Sequence, residues 1–275
     1  MKKTDEPVFK PRKHPRLWQS YLCWDELKKL RVRHMNRLSA IEAGKSDMDA
    51  DLEHIFLEIT HLNALVDPQT KADRAISVET RLLEEGAKLG DIWTWVTGIR
   101  GLGEGGLAVQ LLAQIDDIAK FDTVSKLWRF AGYACIDGQR EVNKAGEKSH
   151  FNRTLKSLMY LVVDSFVKQR TPVYRDLYDA EKVRQRKLHP IALCKECGAE
   201  CNKKENAAGQ TIWRCPENGK HAIMFNDAHV NNRAYRKVAK IFLQHLWIKW
   251  REFEGLPTGE PYVQAVLGHT HIVVP

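Results

Sequence analysis

The chain has 275 residues, with 43 Lys and Arg against 35 Asp and Glu, a formal net charge of +8 and a pI near 9.1. That length supports one large domain or two modest ones with a real core, and the surplus of cations favours a polyanionic partner. A membrane span is excluded, because the most apolar run, 158–167, is interrupted by Asp164 and is far shorter than the roughly 20 residues a bilayer requires.

Residues 1–16 carry Lys2, Lys3, Lys10, Arg12, Lys13 and Arg16 between Pro7, Pro11 and Pro15, which reads as a flexible basic arm. No apolar stretch follows the charged start, so a signal peptide is not expected; the expected setting is the cytoplasm of a prokaryote or of a virus-infected prokaryotic cell. Leu17, Tyr21, Trp24, Leu27 and Leu30 recur at helical spacing and predict a helix over about 17–43. Its other face carries Lys28, Lys29, Arg31, Arg33 and Arg37, a solvated face or a phosphate-contacting one.

Asp49 is placed to cap a second helix. There Leu52, Ile55, Ile59, Leu62 and Val66 form a seam at spacings of three and four, ended by Asp67-Pro68. A further helix is predicted over 71–90. The two together read as an antiparallel hairpin or coiled-coil arm, packed either on the chain's own core or on a second copy in a homodimer.

Gly98-Ile-Arg100-Gly101-Leu-Gly103, followed by Gly105, Ala108 and Leu111-Leu112, has the pattern of a helix-hairpin-helix. In that motif a glycine turn brings backbone amides to a nucleic-acid phosphate beside the start of the next helix. A tight turn between packed helices uses glycine for the same steric reason. Leu155 to Tyr178 is then expected as one strongly apolar helix, followed by the basic stretch Lys182, Arg184, Arg186 and Lys187. Helical spacing resumes from Val230 to Phe253, and the tail from Gly255 should be irregular.

Between these lies an insertion of different composition. Cys194 and Cys197 form a two-residue-spaced pair, and Cys215 and His221 supply a second knuckle. Four such ligands suit tetrahedral zinc; His221 or Cys201 is the fourth. Clustered cysteines without a secretion signal point to metal rather than disulfides. A closed four-ligand site would be structural.

Several separated motifs follow the glycine turn in order: Ile115-Asp-Asp-Ile-Ala-Lys-Phe121, Leu127-Trp-Arg-Phe-Ala-Gly-Tyr133, Asn152-Arg-Thr-Leu-Lys-Ser-Leu158, Arg236-Lys-Val-Ala-Lys-Ile-Phe-Leu243, Trp247, Glu254-Gly-Leu-Pro257 and Pro261-Tyr262. Over roughly residues 90–270 this run resembles the C-terminal transposase domain of the bridge-RNA-guided DEDD recombinases of insertion sequences, including variants with an inserted zinc ribbon. Two departures stand out. Only amphipathic helical sequence precedes the hairpin, where such recombinases carry an RNase H-like acidic metal site. The stretch 135–148, where they carry a nucleophilic serine, has none; Ser149 is nearby but matches the family's helix-start serine and reads as a cap.

A transposase-like domain without either centre resembles the TIGR-associated (Tas) proteins that lack a nuclease, RNA-guided systems with a Nop-like helical domain. The resemblance implies a mainly α fold: a Nop/transposase-like helical domain with a coiled-coil arm and helix-hairpin-helix, plus a small inserted β zinc ribbon. The expected segments are 1–48, 49–92, 93–190, 191–225 and 226–275. It implies a protein of a mobile element that binds a guide RNA and, through it, target DNA, with no catalytic residues. The expected contacts are Arg100, Gly101 and Gly103 at the hairpin; Lys144, Lys148, His150, Asn152, Arg153 and Lys156 in the loop and next helix; and Arg233, Arg236, Lys237 and Lys240 on the last long helix. Each of these charges also has a reading as a plain solvated face.

Overall fold

The computed structural model describes residues 12–45, 52–104, 106–136, 139–140, 146, 149–205, 209 and 211–258. The chain is mainly helical, with a small strand-rich segment before its last helix. It divides into two units, the first from 1–121 with 250–257 and the second from 122–249 with 258–275. No described helix is long and apolar enough to cross a membrane. The proposed Asp49 cap, most of the basic arm and the tail beyond 258 lie outside the described residues.

In the first unit α1 (Pro15–Glu42) starts on a proline, which costs nothing where an amide has no helical partner. Its entry is fixed by the buried carboxylate of Asp116, which accepts the backbone N–H groups of His14 at 3.0 Å and Lys13 at 3.3 Å. Helix α2 (Leu52–Val66) lies against α1 and runs antiparallel to it. Arg31 Nη1 donates to Asn63 Oδ1 at 3.1 Å, and His34 lies 3.0 Å from the Glu58 carboxylate.

The seam on α2 is therefore used inside the chain. Ile55, Leu62 and Val66 are buried. Val66 joins Leu17, Tyr21, Trp24, Leu82, Val109 and Ala113 in one cluster, so the segment is not a free-standing coiled-coil arm.

The single helix predicted over 71–90 is two, α3 (Lys71–Ile76) and α4 (Val78–Ala87). Ser77 between them is extended and only 1 % exposed. Its hydroxyl accepts the N–H groups of Glu79 and Thr80 and donates to the Leu65 carbonyl at 2.8 Å. A serine offers the backbone these alternatives to a continuous helix, and hydrophobic periodicity is blind to them. Helices α5 (Asp91–Gly98) and α6 (Gly106–Ile115) follow, and α6 is buried over most of its length, with Ala108, Val109, Leu111, Leu112 and Ile115 all in the core.

The second unit holds α7 (Val124–Phe130), a short hairpin of β1 (Cys135–Ile136) and β2 (Gln139–Arg140), α8 (Arg153–Lys168) and α9 (Tyr174–Leu188). The apolar helix expected from 155 to 178 is thus broken. Pro172 cannot continue the amide ladder, and Arg170 and Val173 take left-handed backbone conformations with φ of 51° and 69°. After the break Tyr174 stacks on Phe166 at 4.6 Å, and its hydroxyl meets the fully buried His245 Nδ1 at 2.9 Å.

Helix α10 (Asp227–Phe253) buries Val230, Ala234, Val238, Phe242 and Leu246 along one stripe. It gives its residues up to Lys249 to the second unit. Between α9 and α10 come β3 (Leu193–Cys194), β4 (Asn202–Glu205), β5 (Thr211–Arg214) and β6 (Ile223–Met224). Strands β4 and β5 form a hairpin, and β3 pairs antiparallel with β6 in the register Leu193 to Met224 and Cys194 to Ile223.

Replacing Ser77 by Ala removes the cap of α4 and leaves the Leu65 carbonyl without its donor. Chemical denaturation should register a loss of about 1–2 kcal/mol for Ser77→Ala, whereas Arg81→Ala, at an exposed position of the same helix, should be nearly silent.

Candidate metal centre and nucleic-acid interface

The strand-rich segment converges on one point. In the first knuckle the Cys197 N–H donates to Cys194 Sγ at 3.4 Å and the Gly198 N–H to the Cys194 carbonyl at 3.2 Å. Gly198 turns the chain away at a φ of 72°, open to glycine at no steric cost. In the second, the Asn218 side chain accepts the Lys220 N–H and its carbonyl accepts the His221 N–H. This curls the chain so that the imidazole returns to Cys215. The backbone amides of Asn218 and Glu217 pull the Cys215 thiol below its ordinary range.

His221 Nδ1 lies 3.4 Å from Cys194 Sγ and 3.6 Å from Cys215 Sγ, and the sulfurs of Cys197 and Cys215 are 3.5 Å apart. All four ligand atoms fall within 4.8 Å of one another. A tetrahedron with metal–sulfur bonds of about 2.3 Å and a metal–nitrogen bond of about 2.0 Å has edges of roughly 3.5–3.8 Å, so the arrangement is compatible with one zinc ion. The fourth position left open between Cys201 and His221 falls to His221. Cys201 is buried beneath the centre with Ala192, Cys194 and Cys215, its sulfur 3.9 Å from the Ala199 carbonyl.

The cations expected to meet nucleic acid divide between the units. At the hairpin of the first, α5 ends at Gly98, Ile99 is extended, and the Leu102 N–H donates to the Ile99 carbonyl at 3.0 Å. Gly101 and Gly103 take φ values of 96° and 55°. Leu102 is buried between them, and Arg100 is exposed. Helix, glycine turn and helix thus follow in the expected order. The Gly105 of the motif lies outside the described residues.

In the second unit the structure brings two clusters to one turn, 131–135. From the start of α8, the Asn152 N–H donates to the Phe130 carbonyl, and Lys156 lies 4.3 Å from the Phe151 ring. From α10, Arg236 Nη2 donates to the carbonyls of Tyr133 at 2.7 Å and Ala134 at 2.9 Å, while Lys240 lies 4.1 Å from the Trp128 ring. Gly132 sits where a Cβ would come within 2.7 Å of the Phe151 ring. His150, Arg153 and Arg233 are exposed, and Lys144 and Lys148 lie outside the described residues.

Several of these side chains have structural work that the sequence did not reveal. Arg236 ties the turn to α10. Lys237 Nζ lies 2.9 Å from the buried Glu181 carboxylate, which also accepts Arg184 and Gln185. Burial works against that charge, but hydrogen bonds from Arg184, Gln185 and Lys237 hold the Glu181 pKa down to about 2. Asn152, expected as a nucleic-acid contact, is the N-cap of α8, its side chain accepting the Leu155 N–H at 2.9 Å. Ser149, expected as that cap, instead donates to the Phe151 carbonyl in a turn of its own.

Comparison with protein-family models, with curated proteins and with solved structures finds no match for this chain.

Two measurements test these assignments. Metal analysis should find one zinc per chain, lost in Cys215→Ser and His221→Ala but kept in Cys201→Ser, with chelation unfolding the ribbon and lowering the melting temperature. Glu181 adds stability that is complete above its ordinary pKa of 4.5 and disappears as pH falls towards 2. Urea midpoints taken from pH 6 to pH 2.5 should therefore fall across that window, and less steeply in Glu181→Gln.

Proposed function

We propose that this chain is a guide-RNA-binding protein that forms a ribonucleoprotein, in which pairing between the RNA and DNA selects a target, with no nuclease activity of its own. The observation that carries nucleic-acid binding is the glycine turn between α5 and α6. Two glycines at positive φ around a buried Leu102, set between two helices, support reading it as a helix-hairpin-helix, a motif in which backbone amides meet a phosphate. The net charge of +8 and the exposed His150, Arg153 and Arg233 support the same reading. The guide-RNA part rests on the ordered motifs shared with transposase-like and Nop-like domains. Recognition by RNA pairing would leave the protein to read helix shape and phosphates.

The absence of chemistry is supported by the place of Ser149, whose hydroxyl is engaged with Phe151. Zinc, held by Cys194, Cys197, Cys215 and His221, would fold the ribbon; four protein ligands leave no position for water, which makes its role structural. A homodimer is part of the proposal, supported by Phe56 and Leu57, about half exposed on α2.

The test is to purify the protein from its native locus and sequence the RNA that comes with it. A discrete RNA in fixed ratio to protein is the expected result. Random fragments, removable without loss of DNA binding, would overturn the guide reading in favour of a direct DNA-binding accessory protein. Arg100→Ala should weaken binding of any sequence by a similar factor and lower the salt slope by about one.

A further inference from the structure

In the second unit, the end of α9 and the first turn of α10 face each other across a groove of about 510 Å³ lined by Lys182, Val183, Arg186, Lys187, Asp227 and Val230. Arg186 links it to a column of flat rings. Its Nη1 donates to the Phe225 carbonyl at 2.9 Å, and its Nη2 pairs with Asp227. The Phe225 ring lies parallel to His189 at 3.6 Å (9° between planes) and to His229 at 5.3 Å (3°), with the Arg233 guanidinium 5.6 Å from its centre.

Phe225 has a φ of 60°, a conformation that a bulky side chain avoids. It is held there from both sides, since its N–H donates to His229 Nδ1 at 2.9 Å and its carbonyl accepts Arg186. A strained backbone fastened at two points keeps one aromatic ring in the column. His229, accepting at Nδ1, is a neutral ring. His189 is half-buried, and burial and then Arg233 and Arg184 lower its affinity for a proton. Neutral flat rings beside lysines suit an unpaired base and its phosphate. Asp227, the acid lining the groove, is already matched by Arg186.

We propose that this face binds one nucleotide of a single strand, the base extending the His189–Phe225–His229 column and the phosphate lying in the adjoining groove on Lys182 and Lys187. The inference rests on the nucleic-acid-binding reading and names a place for the strand that the sequence motifs do not mark.

The test uses the full chain with two fluorescent strands of equal length and charge, a mixed-sequence RNA and a fully abasic one. His189→Ala should weaken binding of the RNA about tenfold, the order that stacking of one base carries, and leave the abasic strand unchanged. His189→Phe should restore the RNA affinity, and the double change Lys182→Ala, Lys187→Ala should weaken both strands. Photo-crosslinking of the unaltered protein to a thiouridine-bearing RNA should mark the peptides that contain His189 and Phe225, a readout that holds even if a variant fails to fold. Equal losses on both strands, or no loss, together with crosslinks elsewhere, would overturn the groove while sparing the broader reading. If the unaltered chain binds no strand or duplex at all, the broader reading fails with it.

Discussion

A single buried carboxylate organises the second unit. Glu181, on α9 and only 3 % exposed, needs donors from its own helix and from α10, and finds them in Arg184, Gln185 and Lys237. Sliding either helix by a turn would take Lys237 away and leave the carboxylate to Arg184 and Gln185 of its own helix, so the Lys237 contact favours one register of α9 on α10. Ring contacts of Tyr178 with Tyr235 and of Tyr174 with Phe242 join the same two helices further along. The ribbon leaves from the end of α9 and returns at the start of α10, so its origin is set by the same register.

Counting cations in a sequence overstates those available to a ligand. Arg236 and Lys237 make their hydrogen bonds within the protein, and Lys240 covers the indole of Trp128. Burial lowers the Lys240 ammonium pKa. What they do is hold the 131–135 turn and the helices beside it in place. Exposed charge is left to Arg153, Arg233 and their neighbours, carried on elements that their buried counterparts have fixed. A rigid surface with few free charges binds with less ordering cost than a flexible one with many.

Periodicity revealed the long elements. The helices beginning near 17, 52 and 230 stand close to where their apolar spacing put them, because each buries one stripe. The Cys/His cluster was legible too, since two knuckles with fixed spacing leave few alternatives; that His221 rather than Cys201 joins Cys194, Cys197 and Cys215 needed three dimensions. The break at Ser77 was not legible, because a hydroxyl interrupts a run that otherwise keeps its apolar spacing. The one at 169–173 was, because Pro172 marks a helix end as Pro68 does, although the apolar spacing runs on through it. The ring column at Phe225 was hidden for another reason. Its members are far from regularly spaced, and a left-handed phenylalanine leaves no trace in sequence.

The pairing of β3 with β6 sets the two ends of the ribbon side by side, separated by one strand spacing of about 4.8 Å. Seen from α9 and α10, everything between Leu193 and Met224 is equivalent to a short link. A module joined in this way can be gained, lost or exchanged without moving the helices that carry it. The ribbon is thus a graft on a helical stock, closed at its base, and the stock keeps its shape whatever is grown upon it.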